Sequence, residues 1–283
     1  MIPAAFDYVR ATSLRQAIDL LNNDADGSKL LAGGHTLIPT LKLRLASPSL
    51  LIDISQIAEL KGIEISEDAV RIGALTTHAE LLAEQFPQTL AVFHEAATLI
   101  ADPQVRNRGT IGGSLSNADP AADWPAVMIA LRAEFEIAGP KGSRRVAAKD
   151  FFVDMFSTAL APGEVLTLVI VPLPTRGTRT TYRKVRHPAS GYAVVGVAAA
   201  VSLQKEVADK ISIGVTGAAK CAFEGRAASS FLAGKHFSRE RIAEAARLLS
   251  DSTECLSDSY ASAEYRANLL SVQTRRALLA LSF

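Results

Sequence analysis

The sequence predicts an α+β protein in three parts: a small parallel α/β lobe, a larger α+β lobe, and a tail of antiparallel strands followed by helices. Three observations carry this. Strand and helix patterns alternate over the first fifth of the chain, as in parallel α/β units. From Gly62 onward apolar residues recur with period two in pairs that read as hairpins. Beyond Pro172, three long strand patterns precede two stretches of helical periodicity. The chain has 283 residues, 48% of them hydrophobic, enough to bury a sizeable core in one large domain or two to three small ones.

Residues 6–10 read as an edge strand. Ser13 reads as an N-cap, followed by Leu14, Ala17, Ile18 and Leu21 at helical spacing, and residues 22–27 end that helix. Residues 29–32 form a short strand running into a glycine turn. Residues 36–45 read as a helix with Pro39 in its first turn, and 49–54 as a strand. The turn therefore lies between a strand end and a helix start, where parallel α/β sheets place ligands. Residues 63–65 and 70–73 pair as a hairpin. Thr77 caps a helix over 79–84, and a second helix spans 90–99. Residues 105–114 read as irregular, 123–131 as helix, 133–138 and 143–147 as a hairpin around Gly139-Pro140, and 164–171 as a strand. Residues 172–177 are the linker, rich in Pro and Gly. Strands at 178–185, 193–204 and 210–216 and helices at 238–250 and 259–280 complete the chain. The parts divide at 1–56, 57–174 and 175–283.

Composition excludes several classes. The net charge is +1 with basic residues spread along the chain, so no nucleic-acid surface is expected. The basic cluster from Lys141 to Arg145 reads as a solvated loop. The only cysteines, Cys221 and Cys255, cannot build a structural zinc site or hold an iron–sulfur cluster. With no export signal and no long apolar run, a cytoplasmic protein without a membrane span or disulfide is expected.

Two short stretches carry the chemistry. One is Leu31-Ala32-Gly33-Gly34-His35-Thr36. The other is Thr110-Ile111-Gly112-Gly113-Ser114, followed by Asn117, Asp119 and Asp123. Paired glycines let successive N–H groups converge on one anion, and two such nests suggest a ligand with two phosphates. Neither matches G-x-G-x-x-G or a P-loop. His35 alone reads as a turn histidine facing solvent, Asp123 as a helix N-cap, Lys184 as a surface lysine and Tyr192 as a core strand aromatic. No G-x-S-x-G frame supports a serine nucleophile, no metal-ligand spacing occurs, and no catalytic residue is assigned.

The ordered blocks A-G-G-H-T, T-I-G-G-S with N-x-D-P-A-A-D-W-P, Tyr182-Arg183-Lys184 and the run from Ser190 to Gly196 resemble one family. It is the FAD-binding medium subunit of molybdenum hydroxylases, the carbon-monoxide-dehydrogenase/xanthine-dehydrogenase family, and the resemblance runs along essentially the whole chain. It implies a two-lobed FAD-binding domain of the vanillyl-alcohol-oxidase/PCMH type and a small C-terminal domain. The two glycine stretches would hold the FAD pyrophosphate. Asp123 would bind the cofactor's polar chain, Lys184 would approach the cofactor, Leu166 would offer a backbone contact to the adenine, and Tyr192 would lie against the isoalloxazine ring. Serine at 114 replaces an asparagine common in relatives. The resemblance also implies a small subunit with two [2Fe–2S] clusters and a large molybdenum subunit, as a dimer of heterotrimers. Electrons would leave FAD for NAD, a quinone, a carrier protein or oxygen. The alternative is a self-contained FAD-dependent oxidoreductase, as in the cell-wall reductase of peptidoglycan synthesis. It would need substrate residues in the last third, where Glu224, Arg226 and His236 are scattered. A scaffold without flavin is disfavoured by the four intact glycines.

Overall fold

The computed structural model describes residues 2–24 and 27–282. Residues 25–26, within the predicted break at 22–27, lie outside them. The chain opens with β1 (Asp7–Arg10), α1 (Leu14–Asn23), β2 (Ser28–Leu31), α2 (Leu37–Lys42) and β3 (Leu50–Asp53). These strands form an all-parallel sheet in the order β1-β3-β2. Ser13 caps α1 through Gln16 N, and Ala17, Ile18 and Leu21 face the sheet. Pro39 stands at the third helical position of α2, where its missing N–H costs no helical hydrogen bond.

The second part contains β4 (Ile63–Ile65), β5 (Ala69–Gly73), α3 (His78–Ala83), α4 (Val92–Leu99), α5 (Pro103–Arg106), α6 (Ile111–Asn117), α7 (Asp123–Ala130), β6 (Glu134–Gly139), β7 (Gly142–Ala147), α8 (Ala148–Phe151), β8 (Phe152–Asp154), β9 (Ser157–Thr158) and β10 (Val165–Pro172). Five of its strands make an antiparallel sheet in the order β4-β5-β10-β6-β7, so both predicted hairpins flank the central β10. Thr77 caps α3 in a reciprocal box with Glu80. Residues 105–114, expected to be irregular, instead contain the end of α5 and the start of α6. All eight residues of α7 are buried, so this helix is the centre of the protein rather than an amphipathic surface element.

The last part comprises β11 (Arg179–Arg186), β12 (Ala193–Gln204), β13 (Val207–Thr216), β14 (Phe223–Glu224), α9 (Arg226–Leu232), α10 (Arg239–Asp251) and α11 (Ala263–Ala280). The strands form an antiparallel sheet in sequence order, with α9, α10 and α11 packed against it. The third strand begins at Val207, three residues before the sequence reading. The last helix begins after Ser262, whose side chain caps it through Tyr265 N, and not at residue 259.

The sheets sit on three cores, which interlock. Leu75, Ala138 and Val165 complete the core of the first sheet. A Cβ on Gly214 of β13 would meet the Ala126 carbonyl of α7 at 1.9 Å, so this glycine lets helix and sheet backbones touch.

Candidate functional site

A cleft of about 700 Å³ opens where the three parts meet, lined by residues of all three. Its first wall is the turn leaving β2. Gly34 adopts φ +75°, which favours glycine. The N–H groups of Gly33, Gly34, His35 and Thr36 have no partner among the described residues, while the Gly34 and Thr36 carbonyls carry α2. This is the donor-rich turn the sequence predicts, and it lines the cleft.

The second wall corrects that reading. Thr110 caps α6, and its hydroxyl accepts from Gly113 N at 3.1 Å. Ile111 N donates to Thr76 O, Gly112 N to Ala74 O and Ser114 N to Thr110 O, at 2.9, 2.9 and 3.0 Å. With these donors occupied, Thr110–Ser114 is a packed helix start and not an anion nest. Its glycines serve close approach. A Cβ on Gly112 would lie 2.5 Å from that of Ala74, so the glycine lets α6 seat against the chain leaving β5. Gly113 is exposed along the cleft, and its added Cβ would meet only the Thr110 hydroxyl at 2.8 Å.

The two glycine stretches are in contact. A Cβ on Gly33 would stand 2.0 Å from the Arg108 carbonyl oxygen. Segments 75 residues apart in sequence thus form one seat.

The third wall comes from the C-terminal part. The turn from His187 to Tyr192 closes through Gly191 N to His187 O and His187 N to Tyr192 O. Tyr192 is 41% exposed at the cleft rim rather than in the core. Burial, then the carboxylates of Asp119 and Asp123, push its phenol up, with Thr36 pulling the other way. Ala193 N donates to Ala121 O, and the Thr216 hydroxyl reaches the Pro120 and Ala122 carbonyls. The polar stretch from Asn117 to Asp123 is thereby pinned to the C-terminal sheet.

Asp123 is the first residue of α7 and not its cap, which is Ala122. Its Oδ1 accepts from the Tyr182 hydroxyl at 2.5 Å, and Lys184 Nζ lies 2.9 Å from both carboxylate oxygens. The Lys184 side chain is fully buried, against the surface position its residue type suggests, and also donates to Gly191 O. Gly196 on the neighbouring strand leaves room for the Tyr182 phenol. Burial pushes the Asp123 carboxyl up and the Lys184 ammonium down, while each partner opposes that shift in the other.

Of the residues singled out from sequence, Ala32, Gly33, Gly34, His35, Thr36, Thr110, Gly112, Gly113, Ser114, Asn117, Asp123, Leu166 and Tyr192 line this one cleft. Leu166 stands at a bulge between β10 and β6 that turns the strand locally. Leu31, Ile111 and Lys184 do not line it: Ile111 is core, and Lys184 acts through Asp123 and Gly191. Sequence reasoning missed His78, which lines the cleft. Its buried partner Trp124 lies 46 positions away, so no local pattern marks it.

A fold of three larger sheets and a small two-stranded one, with a donor-rich turn at a cleft shared by all its parts, marks a dinucleotide-binding protein. Residues 4–174 match the FAD binding domain in molybdopterin dehydrogenase, and residues 180–281 match the CO dehydrogenase flavoprotein C-terminal domain. The chain belongs to this family: it is an oxidoreductase flavoprotein chain, the medium FAD subunit of the molybdenum hydroxylases. It is 38% identical to the carbon monoxide dehydrogenase medium chain of Afipia carboxidovorans over 98% of this chain and 97% of that one. It is 37% identical to the glyceraldehyde dehydrogenase medium chain of Sulfolobus acidocaldarius, over 98% of each. Its fold superposes on a chain of carbon monoxide dehydrogenase from Hydrogenophaga pseudoflava with a TM-score of 0.96 at 38% identity, covering all of both chains. No helix among the described residues is long and apolar enough to cross a membrane.

Proposed function

We propose that this chain carries FAD in the three-walled cleft and relays electrons within a molybdenum hydroxylase complex. They would come from [2Fe–2S] clusters of a small partner subunit, beside a large molybdenum subunit, in a cytoplasmic dimer of heterotrimers. An external acceptor such as NAD, a quinone or oxygen would receive them. The observation that carries the reading is the free donor row from Gly33 to Thr36, set against the helix start at Thr110. Such a row suits a diphosphate, and the exposed Gly113 leaves room beside it. We assign to the cofactor the cleft-lining residues named above, with Leu31 and Ile111 supporting the two walls through their backbones. We also propose the division of the chain at 56/57 and 174/175.

When bound, FAD supplies the redox group that the side chains of this chain lack. The residues do the rest. Gly33 to Thr36 donate to anionic oxygens. Asp123, held by Lys184 and Tyr182, presents a fixed carboxylate to the polar chain of the cofactor. Tyr192, exposed at the rim, would lie against the flavin ring and limit access to it.

The test is purification of the chain with and without its neighbouring gene products. The expected result is a yellow protein that releases FAD and that co-purifies with one iron–sulfur chain and one molybdenum chain. A colourless protein unable to take up added FAD would refute the cleft assignment. A lone yellow protein that turns over a small substrate with NADH or NADPH would refute the subunit role.

A further inference from the structure

Nothing so far gives a role to His78, the most buried ionisable side chain at the cleft apart from Asp123. It begins α3, its N–H bonded to Gly109 O, and it is 6% exposed. The indole of Trp124 donates to its Nδ1 at 3.0 Å in a fully buried contact. An indole N–H can only donate, so Nδ1 is the unprotonated nitrogen and a neutral ring carries its proton on Nε2. Burial first, then the nearby His35 and Arg106, lower its pKa to about 4, which keeps the ring neutral near pH 7. Nε2 has no hydrogen-bond partner among the described residues, and the residue lines the cleft. The edge carrying Nε2 faces Gly109: a Cβ there would lie 2.8 Å from Nε2, so this glycine keeps the ring's approach open.

Nε2 is not fully buried: among the described residues only Ser28 Oγ, Arg266 Nε and Thr274 Oγ1 are buried side-chain atoms without a partner, so the unpartnered Nε2–H keeps accessible surface and is free to donate to a ligand. Trp124 fixes which nitrogen donates, and the missing side chain of Gly109 lets the ring edge pack close to the backbone. The ring abuts Gly109, the residue before Thr110, and Gly33 packs on the same stretch, so an acceptor for Nε2 would lie in the cleft where these segments meet. We propose that His78 is a cofactor-binding residue, donating a hydrogen bond from Nε2 to an acceptor oxygen of the bound FAD, with Trp124 as the residue that sets its tautomer. This rests on FAD occupying the cleft.

Two substitutions separate binding from packing. His78→Asn keeps an acceptor near the Nδ1 position for Trp124 but lacks the distal donor. His78→Gln places an amide donor near the Nε2 position and gives up the acceptor near Nδ1. FAD affinity is measured by titrating the apo form of the full chain, with thermal denaturation of each apo variant alongside. His78→Asn is expected to bind FAD about 10- to 100-fold more weakly, as for loss of a hydrogen bond to a charged acceptor, and His78→Gln within about threefold of wild type. A packing role gives the reverse order, with Asn benign and Gln harmful. Nitrogen-15 NMR of the histidines in the wild type supplies a readout without a variant: the protonated Nε2 of His78 must shift on saturation with FAD. Asn binding as well as wild type, Gln binding as weakly as Asn, or an unmoved Nε2 resonance overturns the proposal while leaving FAD in the cleft. A wild-type chain that takes up no FAD overturns the cleft reading as well.

Discussion

The pair of Asp123 and Lys184 offers the sharpest quantitative test. Both charges are buried, with contacts of 2.9 Å from Nζ to each oxygen, and the carboxylate also accepts from the Tyr182 hydroxyl. Asp123→Asn leaves the Lys184 ammonium buried without a counter-charge, with only the neutral amide and Gly191 oxygens as acceptors. Lys184→Met leaves a carboxylate with only a phenol. Removing one member of a buried pair costs about 3–5 kcal/mol, whereas replacing both with uncharged groups is often near neutral. Each single substitution is therefore expected to lower the melting temperature on the order of 10 °C. The double variant should be more stable than either single one, with a coupling energy of roughly 2 kcal/mol or more. Denaturation of the apo chain by urea is followed by fluorescence of Trp124, the one tryptophan, which is fully buried. The pH dependence gives a second arm. Burial already raises the Asp123 carboxyl and Lys184 opposes the rise, so Lys184→Met raises it further. A carboxyl with a raised folded pKa adds stability that is complete below its unfolded value, about 4, and is lost as pH rises through the folded value. The deficit of Lys184→Met against wild type should thus be largest at neutral pH and narrow toward pH 4. Single variants costing under about 1 kcal/mol, or costs that simply add, would refute the buried-pair account.

Three further expectations follow from the cleft. Gly113→Ala sets alanine's helix gain of about 1 kcal/mol over glycine against crowding of the Thr110 cap hydroxyl at 2.8 Å, a loss of about 1 kcal/mol, so thermal stability should change little; FAD titration should nonetheless show weaker binding, and unchanged affinity would remove Gly113 from the seat. Gly33→Ala forces a methyl into the Arg108 carbonyl and should cost about 1–3 kcal/mol as overpacking as well as FAD uptake, so a melting curve that matches wild type would deny the contact between the two glycine stretches. His78, with a folded pKa of about 4 against 6.5 for an ordinary histidine, contributes stability present above 6.5 and lost as pH falls toward 4, about 3 kcal/mol in all; His78→Gln should flatten the acid limb of the stability profile between those values, and an unchanged limb would mean that the ring is not held neutral.

How much of this was legible follows from where each signal resides. The parallel first sheet, both hairpins and the caps at Ser13 and Thr77 are local patterns, and they appear as read. The turn at Gly33-Gly34 is local too, because a backbone at φ +75° depends on the residue placed there. The stretch from Thr110 to Ser114 defeats the same logic. Two glycines and a serine favour a loop by propensity, yet Thr110 caps the turn and contacts with Ala74 and Thr76 hold it helical. Its glycines mark a backbone packed against a backbone, which a glycine pair alone cannot distinguish from an anion seat. Lys184 and His78 fail for another reason. The partner of Lys184 lies 61 positions away and that of His78 46 positions away, so nothing nearby announces their burial.

These long-range pairs also decide how the site is assembled. The carboxylate of Asp123 begins a helix of the second lobe, but its neutralising lysine and its phenol stand on the first strand of the C-terminal sheet. That lysine holds the Gly191 carbonyl beside Tyr192 as well, so one side chain sets both the charge at the cleft and the turn that carries its rim aromatic. The donor turn of the first lobe is held at the same cleft by the contact of Gly33 with Arg108 and by the core that the first lobe shares with Leu75, Ala138 and Val165. Each wall is shaped by its own sequence, but the charge state and depth of the cleft are properties of the docked whole. The motifs therefore locate the cleft more reliably than they assign the role of each residue in it.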